Sequence, residues 1–195
     1  MKQILKTMLI VLCVLLVGAC GGLRYSQLAP DLENFHPTRI AVLPVDAGAY
    51  GEASGTADAI LVQALIDTQW FATVVPVETV QTQIATNETF RDMLVDYLSK
   101  LDKVNYSDPV LSGKIGETLG VDAFLVVTVD FWNFTMEDDD KVAKVGFSLK
   151  LVESPTGRVV WKAGHHEVED YWIVKPDLAE VAVELAEMII KEMPH

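Results

Sequence analysis

The spacing of apolar and polar positions along this chain changes period several times, and each change marks an element. Arg39-Ile-Ala-Val-Leu-Pro-Val45 is an almost continuous apolar run, which predicts a strand buried on both faces. A glycine-rich loop from Ala47 to Gly55 follows. Helical spacing then runs from about Thr56 to Thr68, with Ile60, Leu61, Ala64 and Leu65 on the inward stripe. Ala72 to Val77 predicts a second strand, parallel to the first because a crossover helix joins them, with Pro76 marking its end or an edge.

The middle of the chain reads as helical. Val80 to Ala85 predicts a short helix, and Glu88 to Val104 a stronger one. In the second, Phe90, Met93, Leu94, Tyr97, Leu98, Leu101 and Val104 share a side, and Asn87 serves as N-cap. Asp108-Pro109 opens a further helix and Leu119-Gly120 closes it. Three strands follow, Ala123–Thr135, Lys141–Glu153 and Arg158–Glu169. The acidic turn Glu137-Asp-Asp-Asp140 and the turn Pro155-Thr-Gly157 separate them, so they predict an antiparallel meander. A last helix spans about Asp177 to Met193, with Leu178, Val181, Ala182, Leu185, Met188 and Ile189 inward. The expected fold is α/β: a single mixed-sheet α/β sandwich of order β-α-β-α-α-β-β-β-α, closed by the meander and the final helix. Residues 38–195 suffice for one domain, burying roughly 70% of the unfolded chain's surface.

The first residues have a different character. Lys2 and Lys6 precede the apolar run Met8–Val17, the arrangement of a secretory signal. The run ends in Val17-Gly18-Ala19-Cys20, which resembles the lipobox of bacterial lipoproteins. That resemblance implies cleavage after Ala19 and a diacylglyceryl group on the Cys20 sulfur. The uncharged stretch from Thr7 to Leu23 is also close to the shortest length for an uncleaved membrane anchor. Its last third, Gly18-Ala-Cys-Gly-Gly22, is poor helix material, which favours the lipoprotein reading. The expected organisation is a signal peptide over 1–19, a lipidated cysteine and tether over 20–37, and a globular domain over 38–195. Within the tether, Leu28, Leu32 and Phe35 are the residues able to pack back on the domain. Of the two cysteines, Cys13 lies in the leader and Cys20 carries the lipid, so the domain has no disulfide to lean on.

Charge narrows the partners. The chain carries a net −13, and loss of Lys2 and Lys6 with the leader leaves it more acidic still. Phosphate backbones and anionic lipid surfaces repel such a domain, so no nucleic acid is expected and the lipid supplies the membrane affinity. Known chemistry is hard to find. The loop Gly48–Thr56 lacks the lysine of a phosphate-binding Gly-Lys-Ser/Thr turn and the G-x-G-x-x-G spacing. His165 and His166 are adjacent on a strand and point to opposite faces, so they do not readily share a metal ion. Glu137–Asp140 lacks the spacing of a calcium loop. No nucleophile elbow and no H-E-x-x-H occurs. Neither metal, cofactor nor catalytic residue is expected. The compact apolar run Tyr171-Trp172-Ile173-Val174, between polar segments, is the candidate partner surface.

Several of these pieces together resemble a group of envelope lipoproteins. Arg39–Val45 followed by a helix and Trp70-Phe-Ala-Thr-Val-Val75, then Leu119-Gly-Val-Asp122-Ala-Phe-Leu-Val126, then Leu151-Val-Glu-Ser-Pro-Thr-Gly157-Arg-Val-Val-Trp161, are the carriers. They are similar to motifs of the curli secretion lipoprotein, the penicillin-binding-protein activator lipoproteins and the amino-terminal domain of the Tol-Pal translocation protein. Uncharacterised bacterial lipoproteins fit as well. The resemblance implies an α/β sandwich like those of the anticodon-binding and Tol amino-terminal domains, and non-catalytic work in the envelope. It does not imply a curli channel, because no long hairpin alternates toward lipid.

The expected function is that of a lipid-anchored, non-enzymatic accessory or assembly protein. Its partners would be the membrane, through the lipid, and another envelope protein or further copies of itself. A small-molecule or lipid-binding lipoprotein is the alternative, and a cell-wall hydrolase a third reading. Gly21, following Cys20 where aspartate would retain a lipoprotein at the inner membrane, favours the outer membrane and a periplasm-facing domain.

Overall fold

The computed structural model describes residues 22–195, which form one six-stranded mixed sheet between two helical layers. The elements are β1 (Tyr25–Leu28), β2 (Arg39–Val42), α1 (Ser54–Thr68), β3 (Thr73–Val75), α2 (Val77–Thr86) and α3 (Glu88–Lys103). They continue with α4 (Pro109–Leu119), β4 (Ala123–Glu137), β5 (Asp140–Glu153), β6 (Val159–Asp170) and α5 (Leu178–Ile190). The strand order is β1-β6-β5-β4-β2-β3, with β2 parallel to β3 and β4 and the remaining pairs antiparallel. The α/β sandwich, the parallel β2–β3 unit and the C-terminal meander are as the apolar periods predicted.

The doubly buried first strand is borne out residue by residue. Ile40 and Val42 enter the core beneath α1 and α5, whereas Ala41 and Leu43 enter the second core beneath α3 and α4, and all four are fully buried. The first core is the larger and runs along β4, β5 and β6 through Val127, Phe147, Leu149 and Trp161. The second ends early: it takes Phe124 and Val152 from the start of β4 and the end of β5. Beyond them, that side of the sheet carries Thr128, Asp130, Ser148, Lys150, Lys162 and Gly164. No apolar stripe there calls for a covering helix.

Three local features depart from the sequence expectation. Tyr25–Leu28, assigned to the tether, pairs with β6 from Tyr25↔Gly164 to Leu28↔Trp161. Its four residues are all exposed, so no burial period betrays it; the ladder offered by the β6 edge makes it a strand. Phe35, also in the expected tether, is buried in the larger core, and Arg158 donates to the Pro30 and Asp31 carbonyls at 3.3 and 3.1 Å. The folded body therefore reaches back well before Thr38. α2, expected as a short helix over Val80–Ala85, runs over Val77–Thr86.

The third departure is a bulge in β4 between Val129 and Phe131. Strict alternation from Leu125 through Val129 would turn Phe131 inward. The extra residue turns Trp132 into the core instead and leaves Phe131 on the open face.

Candidate interaction surface

The motif residues of the sequence prove to be folding residues. Asp122 accepts from the Thr38 backbone N–H at 2.8 Å, the Thr38 hydroxyl at 2.9 Å and the Arg39 backbone N–H at 2.9 Å, and so fixes the entry to β2. Burial pushes its carboxyl upward, but these hydrogen bonds and the Arg39 charge outweigh it and hold the group below the ordinary carboxylate range. Ser154 donates to the Val121 carbonyl at 2.7 Å, and Ser112 donates to the Ser154 carbonyl at 2.9 Å. Gly116 faces Ser154 so closely that a Cβ would collide with it. Gly120 and Gly157 hold φ of +65° and +68° at the turns. Trp161 is buried and donates from Nε1 to Ser26 on β1 at 3.0 Å.

At the other end of β4, β5 and β6 the sheet outruns its helices. Asp138 and Asp139, with φ of +48° and +73°, form a two-residue hairpin turn. Glu137 is held by Lys144 at 2.6 Å. Beside that turn stands the candidate patch. Tyr171 is half-buried: its N–H donates to the Lys141 carbonyl at 2.9 Å, and its ring meets Phe134 edge-on at 5.7 Å. Lys175 lies over the Phe134 ring at 4.3 Å, and Asp177 caps α5 through the Ala179 N–H. Between these fixed points Trp172, Ile173 and Val174 project with 91%, 87% and 80% exposure. Met136 and Val168 add further exposed apolar surface on the neighbouring strand ends. Apolar side chains held outward on a loop pinned at both ends constitute a built surface rather than a frayed one.

β1 runs antiparallel to β6, so the chain enters β1 from the side of the sheet where β6 leaves it, toward this same patch. Val17, Gly18, Ala19 and Cys20 lie outside the described residues. Among the described residues no helix is long and apolar enough to cross a membrane.

A cleft opens on the uncovered sheet face, with a volume of about 390 Å³. Tyr25 donates to Ser148 at 3.3 Å and Ser148 donates to Asp130 at 2.6 Å, a relay that crosses from β1 to β4. Phe131 meets His166 edge-on at 5.6 Å, with Lys144 over the Phe131 ring at 4.2 Å. His165 and His166 are 6.0 Å apart and line this one cleft, contrary to the opposite-face argument. The difference arises at the sheet edge, where the Arg24 N–H donates to His165 Nδ1 at 3.0 Å and draws that ring around. This contact places the His165 proton on Nε2, 3.4 Å from Glu167. Burial, then Lys144, Arg24 and His165, lower the His166 pKa and keep that ring neutral. Among the described residues no group of three His, Cys, Asp or Glu side chains stands ready for a metal ion.

The fold is similar to that of PelC. PelC from Paraburkholderia phytofirmans, crystallised as a dodecamer, superposes with a TM-score of 0.54 at 15% identity, over 86% of this chain and 94% of that one. A PelC variant in another crystal form, also a dodecamer, gives 0.54 at 16% identity over 87% and 95%. Lipoprotein GNA1162 from Neisseria meningitidis gives 0.46 at 21% identity over 76% and 94%. No protein-family model matches the chain, and no curated protein does. At such identities the PelC likeness speaks for the fold.

Proposed function

We propose that this chain is a lipid-anchored, non-catalytic protein of the bacterial envelope that lies on the periplasmic face of the outer membrane by its exposed sheet end, where it acts as an accessory or assembly factor for another envelope protein. The observation that carries this reading is the coincidence of two features at one end of the sheet. One is the Trp172-Ile173-Val174 loop; the other is the direction from which the chain enters β1. Cys20 to Tyr25 can span up to about 17 Å. From Gly164, the register partner of Tyr25, β6 runs about 20 Å to Asp170. A lipid on Cys20 is therefore on a leash that ends within about 3 Å of the level of Asp170, and it sets that end toward the bilayer. An interfacial tryptophan with two aliphatic neighbours supplies a second, reversible contact beside the acyl chains. The acidic turn Glu137–Asp140 limits the depth and opposes anionic headgroups.

The test uses the Cys20-lipidated protein in liposomes containing brominated lipids. Trp172 is the exposed tryptophan of the described chain, Trp132 and Trp161 being buried and Trp70 partly so. Bromine quenching that disappears in Trp172→Ala is the expected result, with stronger quenching in zwitterionic than in anionic vesicles at low salt. Equal quenching of wild type and variant would sink the docking claim. Self-assembly is a second reading of the partner, favoured by the dodecameric state of PelC. Mass photometry of the detergent-solubilised protein separates a monomer from a dodecamer.

A further inference from the structure

We infer that the cleft on the open sheet face, between Tyr25 of β1 and His166 of β6, is a binding site for an uncharged polyhydroxyl ligand of the saccharide class. The inference is independent of membrane docking and of the envelope partner.

The sheet gives up two central side chains to make this cleft. A Cβ on Gly146 would stand 2.7 Å from the Phe131 ring, and one on Gly164 would strike the ring of Tyr25. Glycine inside a strand costs about 0.5–1 kcal/mol relative to alanine, yet both positions hold it and lay an aromatic ring over the gap. The Tyr25 ring rests one side on Gly164 and remains 39% exposed, so it offers a flat apolar surface to a sugar's C–H face.

The polar groups around the ring define the ligand by elimination. Asp130 receives the Ser148 proton on one oxygen, and its other oxygen has no partner among the described residues. It repels an anion and accepts from a hydroxyl. Arg24, which lines the same cleft, offsets that charge and repels a cation. His166 has no hydrogen-bond partner among the described residues; as a neutral ring it offers one donor and one acceptor. A carboxylate oxygen, a neutral imidazole and an aromatic face around about 390 Å³, within the range of small-molecule sites, suit vicinal hydroxyls better than any charged group. The site also has a structural condition: Tyr25 reaches it only while β1 is paired with β6.

The experiment is calorimetric titration of the lipidated protein in nanodiscs with three tetrasaccharides. They are the neutral β-1,4-linked N-acetylglucosamine oligomer, its deacetylated cationic form and an anionic uronic-acid oligomer. Saturable binding of the neutral oligomer, with each charged one weaker by about tenfold, is expected. Asp130→Asn and Tyr25→Leu should each weaken the neutral oligomer by about tenfold, the scale of one charge-assisted hydrogen bond or one aromatic contact. Tyr25→Phe, which keeps the ring and the strand, should stay within about threefold. No saturable binding of the neutral oligomer overturns the proposal. So does a charged oligomer that binds as well, or binding that Asp130→Asn and Tyr25→Leu leave unchanged.

Discussion

The two ends of the long strands β4, β5 and β6 are built from similar residues and do opposite things. Where β4 starts and β5 ends, helices cover both faces, and Asp122, Ser112 and Ser154 tie the turns together with short hydrogen bonds. Where β4 ends and β5 starts, the sheet runs out beyond its helices, and Phe134, Met136, Trp172, Ile173 and Val174 meet solvent. An aromatic residue at the first end contributes to stability by burial. At the second it is left available for something outside the chain.

Substitutions can break that contrast. The largest effect should come from Phe124→Ala at the covered end, where a fully buried ring meets Tyr97 edge-on at 5.5 Å. Denaturant unfolding should show a loss of about 3–5 kcal/mol. Asp122→Ala follows at about 1–2 kcal/mol, since it strips the acceptor from two backbone N–H groups and a hydroxyl that water can partly satisfy. Its folded carboxyl lies below the ordinary value, so its contribution is complete above about pH 4 and fades as pH falls through the folded pKa. A stability profile of Asp122→Asn that kept the wild-type slope below pH 4 would contradict the clamp.

Asp58 should respond with the opposite sign. Burial first raises its pKa, the Val45 N–H opposes that at 2.9 Å, and Glu78 adds to the rise. A raised carboxyl favours folding when protonated, and the cost of ionising it appears as pH climbs through the ordinary and then the folded value. Asp58→Asn, keeping an oxygen for Val45, should therefore equal or exceed wild-type stability at pH 7 and lose that advantage near pH 3. Smallest of all should be Trp172→Ala, within about 0.5 kcal/mol by unfolding. A loss above about 2 kcal/mol would mean the loop belongs to the core energetics after all.

The legible and illegible parts of this molecule follow from sequence separation. A continuous apolar run reveals β2, cap residues reveal α4, and periods of two and 3.6 reveal α1, α3, the meander and α5, because each signal lies on the element's own residues. Val104 is the small failure within α3: it continues the period but lies past the last turn and is 68% exposed. Tyr25–Leu28 buries nothing and owes its conformation to β6, over a hundred residues away, so no local pattern could disclose it. The β4 bulge hides for a related reason, since Phe131 and Trp132 are both plausible core residues until register decides between them.

The candidate surfaces divide along the same line. Tyr171–Val174 stands out as an apolar run, but its neighbourhood with the chain entry needs the β1–β6 pairing. Tyr25, Asp130, Ser148 and His166 meet only across four strands. The motifs behind the lipoprotein resemblance fall on Gly120, Asp122, Gly157 and Trp161, which turn and clamp the chain. They carry information about the fold and little about the partner.

The β1–β6 pairing also has a mechanical meaning. A pull on Gly22 directed out of the exposed sheet end acts along the axis of β1, across its hydrogen bonds to β6. Loaded in that direction the bonds share the force and must fail together, whereas a sideways pull would open them one after another. An axial pull at the amino end is thus borne in shear by the β1–β6 hydrogen bonds together.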